Sequence, residues 1–288
     1  MFRVGSSAGA ARNERFAMNG TELASALRGG QRVYGTCVTS TAPSWPAMIA
    51  STGADFAFVD TEHTPIDRAQ LAWICQNYNA LRIAPIVRIP EPDPYRACMA
   101  LDVGAAGVIA PYVETLEQVH ALRGAVKFRP LKGNRLYKTL DGSEKLEDPV
   151  REYLGERNTG RLMVVNIESV PALEALDAIL AVPDIDALLV GPHDLSINLG
   201  VPEQYSHPKF SQAISTIIAK ARAAQVGVGI HYSEGMDLPL GWAKEGANFI
   251  VHSSDVSLVQ QSLVRDFARF RRELGDGGPG GSQESIVV

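Results

Sequence analysis

Two carboxylates stand at the ends of consecutive apolar runs: Glu168 closes LMVVNIES and Asp194 follows ALLVGPH. If those runs are neighbouring parallel strands, both acids reach the same sheet edge about one strand spacing apart. There they suit a hard divalent cation or an acid/base pair. A third run, FAFVD, leads into DTEHTP and so sets Asp60, Glu62 and His63 on that edge. His63 among acids suits proton transfer, although a histidine after a strand is often only structural. Strand alternation leaves Glu62 free to face the site, a helix or a neighbouring subunit. Arg88, inside the apolar run APIVRIP, is costly to bury unless it meets an anion. That anion is either an acid such as Asp60 or Asp102 or the negative charge of a substrate.

Eight short β-rich runs lie in order along the chain, around Arg32, Asp60, Arg88, Val108, Glu168, Pro192, Gly229 and Ile250. Most are followed by a helical pattern, and they are near-continuously apolar, as expected of a parallel sheet covered on both faces. The expected fold is α/β, a single-domain (β/α)8 TIM barrel over residues 21–274, with a doubly wound sheet as the alternative. The C-terminal strand ends of such a barrel share one mouth, where active sites lie. Thr115 with Gln118 three residues later forms a capping-box pattern. Val256, Val259, Leu263, Phe267, Phe270 and Leu274 make an apolar helical stripe, read as barrel packing with a subunit contact as the alternative. Residues 129–160, between the fourth helix and the fifth strand, exceed an ordinary connection; they form a lid or a solvated excursion with a short helix near Pro149–Leu154. Residues 1–20 read as a flexible leader, and the Gly-rich stretch 275–288 as a disordered tail.

Composition narrows the partners. A net charge of −5 without a basic cluster disfavours nucleic acid. No run reaches the roughly 18 apolar residues of a membrane span, and the N-terminus has no secretory pattern. Three cysteines, Cys37, Cys75 and Cys98, with no CxxC pair fit a reducing compartment, so a soluble cytoplasmic protein is expected. No lysine falls within an expected strand, which disfavours imine chemistry. The last two mouth loops, HYSEG and HSSDV, offer no Gly-rich phosphate cradle.

The segments FVDTEHTPID, APIVRIPEPDP, LDVGAAGVIAPYVET, VVNIES and GPHDLSINLG resemble, in order, the hallmark segments of the HpcH/HpaI aldolase family. These are metal-dependent (class II) pyruvate aldolases of the phosphoenolpyruvate/pyruvate barrel superfamily. The resemblance implies that Glu168 and Asp194 are metal ligands and that Asp60 is held near the metal through water. It implies a His63–Asp102 dyad for proton transfer and Arg88 on the keto oxygen of pyruvate. The backbone of Gly191, His193 and Asp194 is implied to cradle the pyruvate carboxylate. A divalent cation (Mg2+, Mn2+ or Co2+), a 2-oxo acid, an aldehyde and a homo-oligomer are implied with them. That oligomer would be a hexamer with exchanged C-terminal helices.

The implied reaction is reversible cleavage of a 4-hydroxy-2-oxo acid through a pyruvate enolate. The same enolate would serve an oxaloacetate decarboxylase or a macrophomate-synthase-like Michael–aldol enzyme; a non-enzymatic binding or assembly barrel is the remaining alternative. Two departures bear on the acceptor. His193 stands where relatives commonly carry a small residue, and Leu136 replaces the second glycine of a G-x-R-G turn. A loop histidine is also a possible, though less economical, third metal ligand.

Overall fold

In the computed structural model, which describes residues 18–276, eight parallel strands close into a barrel in chain order. They are β1 (Val33–Val38), β2 (Phe56–Asp60), β3 (Ala84–Arg88), β4 (Gly107–Ala110), β5 (Leu162–Asn166), β6 (Ala187–Val190), β7 (Gly227–Tyr232) and β8 (Phe249–Ser254). Every residue of β2 to β6 is buried, which explains the unbroken apolar runs. The (β/α)8 barrel is thus the fold, and the doubly wound alternative falls because β8 pairs with β1.

Two cores hold it together. The inner one fills the barrel with Phe56, Phe58, Ile86, Ile109, Val164, Leu189 and Phe249. Helix α1 (Gly20–Arg28) seals the N-terminal end by adding Leu23 and Leu27. The outer core lies between the strands and the surrounding helices, which include α2 (Trp45–Ser51), α3 (Arg68–Ala80), α4 (Pro94–Asp102) and α5 (Leu116–Lys127). The Thr115–Gln118 capping box forms at the start of α5. Gly229 on β7 has no room for a side chain, because a Cβ there would collide with the Phe249 carbonyl.

The long segment before β5 contains two helices, α6 (Gly133–Leu140) and α7 (Asp148–Asn158), where a single short one is expected. Gly124 of α5 lets Leu136 and Leu140 of α6 approach closely. Leu136 therefore packs against the barrel's flank, away from the mouth. Helices α8 (Val170–Glu174) and α9 (Leu176–Leu180) lead into β6, α10 (Pro192–Asn198) and α11 (Pro208–Ala223) into β7, and α12 (Asp237–Glu245) into β8.

The last helix, α13 (Asp255–Leu274), departs from expectation. Its stripe of Val256, Val259, Leu263, Phe267, Phe270 and Leu274 faces solvent, with Phe270 63% and Leu274 70% exposed. Barrel packing of that stripe is excluded within the chain. The outer wall at β1 is correspondingly thin: Tyr34 is 44% exposed beside an open cavity of about 610 Å³ between α2 and α13.

The expected leader and tail lie outside the described residues, except at their inner edges. There Met18 is buried and Asn19 caps α1, so ordered chain begins before residue 21. No helix among the described residues is long and apolar enough to cross a membrane.

Candidate active site

The mouth carries a cleft of about 360 Å³ lined by His63, Arg88, Glu168, Gly191, His193, Asp194, Tyr205 and His231, with Tyr232, Ser233 and Glu234 at its edge. Five of these residues were expected there from their strand-end positions. Glu168 lies two residues beyond β5, where it is buried. Its Oε2 accepts from Tyr112 N at 2.8 Å and its Oε1 accepts from Asn166 Nδ2 at 2.8 Å. Gly191 has no room for a Cβ, which would collide with the Glu168 carboxylate, so glycine is required for the β6 turn to pass it. Burial pushes the Glu168 carboxyl up to about 7, and the charge of Asp194 adds to the effect.

Asp194 stands in the first turn of α10. Asn198 one turn later braces the pair of acids from behind, donating through Nδ2 to Glu168 O at 3.3 Å and Asp194 O at 3.1 Å. His193 and Asp194 N–H lie in that first turn, where no intrahelical acceptor exists. Those amides suit a carboxylate.

Arg88 ends β3 buried at 7% exposure, its guanidinium 5.2 Å from the Phe58 ring centroid. Nε donates to Asp60 Oδ1 at 2.8 Å and lies 3.2 Å from Glu62 Oε2. Nη2, by contrast, is buried without a partner. A buried unpaired donor on a cation is expensive and is expected where a ligand oxygen completes it. Burial opposes ionisation of Asp60, yet the Arg88 hydrogen bond and charge hold its carboxyl below the usual range.

Asp60 also shapes the turn that carries His63, accepting from Glu62 N at 3.0 Å and His63 N at 3.3 Å. Glu62 turns into the site and approaches His63 Nε2 at 3.6 Å. Its carboxyl is raised by burial, with Arg88 opposing. Beneath them His231 donates or accepts at 3.0 Å with Ser253 O and meets Phe58 edge-on at 5.4 Å. Burial, and then the charge of Arg88, push His231 down to about 4, so it stays neutral.

Asp102 is not part of this cluster. It closes α4, at the opposite end of the barrel from His63, and its carboxylate pairs with Arg129. A His63–Asp102 dyad therefore does not form within one chain; the acid beside His63 is Glu62. His193 is directed to Glu203, with Nδ1 3.4 Å from Oε1, and not to Glu168. Sequence reasoning missed Tyr112, Asn166, Asn198, Tyr205 and His231. Asn166 and His231 carried a usable signal, being polar residues at the mouth end of apolar strands.

Among the described residues no group of three or more His, Cys, Asp or Glu side chains is arranged to hold an ion. Two carboxylates with lone pairs to spare nonetheless fit a hard cation that keeps part of its water shell. The raised Glu168 carboxyl and its crowding with Asp194 fit the same group, since a divalent charge would relieve both.

The sequence profile of the HpcH/HpaI aldolase/citrate lyase family matches residues 34–262. The chain is 31% identical over 246 residues to a 2-keto-3-deoxy-L-rhamnonate aldolase of Klebsiella pneumoniae, covering 85% of this chain and 91% of that one. An HpcH/HpaI aldolase/citrate lyase family protein from Burkholderia cenocepacia superposes with a TM-score of 0.75 at 26% identity, covering 87% of this chain and 99% of the other. An HpcH/HpaI aldolase from Desulfitobacterium hafniense gives 0.74 at 27% identity, over 90% and 98%. With its barrel and its mouth both in place, the chain belongs to the HpcH/HpaI aldolase/citrate lyase family and is a carbon–carbon lyase of the aldolase kind.

Proposed function

We propose that this lyase forms the enolate of pyruvate and adds it reversibly to an aldehyde, so that in reverse it cleaves a 4-hydroxy-2-oxo acid. The observation that carries this reading is the unpartnered Arg88 Nη2 in the same cleft as Glu168 and Asp194. A 2-keto-3-deoxy acid, the class in the name of the Klebsiella relative, has the required skeleton.

Glu168 and Asp194 would hold a divalent cation (Mg2+, Mn2+ or Co2+), which when bound supplies Lewis acidity toward the 2-oxo acid. The first-turn amides of His193 and Asp194 bind the pyruvate carboxylate. Arg88 Nη2 donates to the oxygen that gains charge as the enolate forms, while Asp60 and Glu62 hold the guanidinium in place. His63 accepts the methyl proton and returns one to the new alkoxide. Proton abstraction breaks a C–H bond of the methyl group, and its electrons then form the bond to the aldehyde carbon.

We further assign a homo-oligomer. The bare α13 stripe and the thin wall at β1 and β8 are complementary defects, which an exchange of α13 between copies would repair. Three free cysteines support a cytoplasmic location.

The test is proton exchange of the pyruvate methyl group in deuterium oxide, followed by NMR with and without a chelator. Exchange that the chelator abolishes, and that Glu168→Gln or Asp194→Asn loses together with metal binding, is the expected result. Exchange indifferent to chelator and to both substitutions would remove the metal assignment.

A further inference from the structure

The outer half of the cleft carries a second message, in its charge. Beyond the pyruvate end it is lined by His193, Tyr205, Tyr232, Ser233 and Glu234, and Glu203 stands against His193. Among the described residues lining the cleft, Arg88 is the sole arginine or lysine, and Asp60 and Glu62 already engage it. An aldehyde carrying a carboxylate or phosphate would thus meet Glu203 and Glu234 with no cation to receive it. Like charges brought together in a partly desolvated cleft repel, which makes such a wall a selectivity device.

The Glu203–His193 arrangement is built into the backbone. Glu203 has φ of +57°, a left-handed conformation that a glutamate adopts at a cost. Ser196 Oγ fixes it there: it accepts from Glu203 N at 3.0 Å and donates to His193 O at 2.8 Å. One hydroxyl therefore ties the strained residue to the turn of α10 that also carries Asp194. A carboxylate facing Nδ1 favours the proton on that nitrogen, which leaves Nε2 as an acceptor. Tyr205 and Tyr232 add phenol hydroxyls, and Tyr205 is pushed up to about 12 by burial and then by Glu234 and Glu203, so it remains a neutral donor.

We propose that His193, Glu203 and Glu234 make this site selective for an uncharged, hydroxylated aldehyde over an anionic one, with His193 accepting from the aldehyde's hydroxyl. The inference rests on the enolate reading above and narrows its acceptor. Oxaloacetate, whose second carboxylate would point at the same wall, is disfavoured by the same charges.

Two assays separate the inference from the reading beneath it. Pyruvate methyl exchange without an acceptor reports enolate formation alone. Addition rates are then compared for glyceraldehyde, for tartronate semialdehyde (the same skeleton ending in a carboxylate) and for propanal, which lacks hydroxyls. The wild-type protein is expected to favour glyceraldehyde over tartronate semialdehyde by tenfold or more in kcat/KM. The double variant Glu203→Gln with Glu234→Gln is expected to narrow that ratio about tenfold, and His193→Ala to shrink the preference for glyceraldehyde over propanal. Ratios taken within one protein cancel any general loss of rate, and the wild-type comparison stands even where a variant fails to fold. Intact exchange with equal or better use of tartronate semialdehyde overturns the proposal and leaves the enolate reading standing. Unchanged ratios in the folded variants overturn the assigned residues. Absent exchange overturns both.

Discussion

Arg88 joins structure to chemistry through opposite sides of one planar head. Nε is engaged by Asp60 and Glu62, and Nη2 is left for a ligand. Lysine would keep the charge but could not serve both directions from fixed positions. Arg88→Lys is expected to fold and bind metal yet lose on the order of 10²-fold in methyl exchange, the scale of one transition-state donor. Near-wild-type exchange, with melting as control, would make Arg88 only a structural ion-pair partner. Glu168 shows the converse cost of a site. Its folded pKa of about 7 lies above the ordinary 4.5, so the native state binds more protons between those values. Stability contributed by this group is therefore present at low pH and lost as pH rises from 4.5 to 7. At pH 8 the metal-free protein carries a penalty of about 3 kcal/mol. Glutamine removes it and can be accommodated: Oε1 accepts from Tyr112 N, and its amide donates to Asn166 Oδ1, which is now unpartnered, once Asn166 flips. Metal-free Glu168→Gln is expected to melt higher than wild type at pH 8, with the gap closing toward pH 5. Added divalent cation should raise only the wild type. A gap that does not vary with pH would show that Glu168 is not a strained acid.

The start of α13 is where one element holds another. Asp255 accepts from Thr39 N and Oγ1, Ser40 N, Trp45 Nε1 and Val256 N, clamping the β1–α2 connection to the last helix. An amide offers fewer acceptor sites and turns its own N–H groups toward these donors. Asp255→Asn is expected to cost about 2 kcal/mol, read as a lower denaturation midpoint at unchanged slope. An unaltered midpoint would mean that water replaces the lost contacts. None of this clamp was legible beforehand, since Asp255 and its partners lie 210 or more residues apart apart from its neighbour Val256. The strands were legible for the opposite reason: burial on both faces leaves a continuous apolar run whatever the tertiary partners are. Glu168 and Asp194 were legible because strand ends have a fixed direction in a parallel barrel. The direction of Glu62 was not, because it depends on the turn that Asp60 closes. Helix α6 escaped notice because it has no buried residue and rests on Leu136 and Leu140 at its edge.

At the scale of the whole molecule, two features remain incomplete in one chain. The first is α13, whose apolar stripe is a large exposed face of the kind that marks an interface. Phe267→Asp with Phe270→Asp is expected to reduce the solution mass measured by light scattering; an unchanged mass would place the interface elsewhere. The second is Asp102. Its side chain is 57% exposed at the end of the barrel away from His63, so the two can meet only between protomers. If they do, His63→Ala and Asp102→Ala should each depress methyl exchange alone. Unfolding and refolding the two variants together at equal amounts would create sites that draw His63 from one chain and Asp102 from another. Random mixing makes about a quarter of such sites intact, since each of two independent positions is intact half the time. Recovery near that fraction would establish a shared site and, with it, a catalytic reason for assembly. No recovery, with hetero-oligomers present by mass, would leave Asp102 as the partner of Arg129 in its own chain and Glu62 as the acid that serves His63.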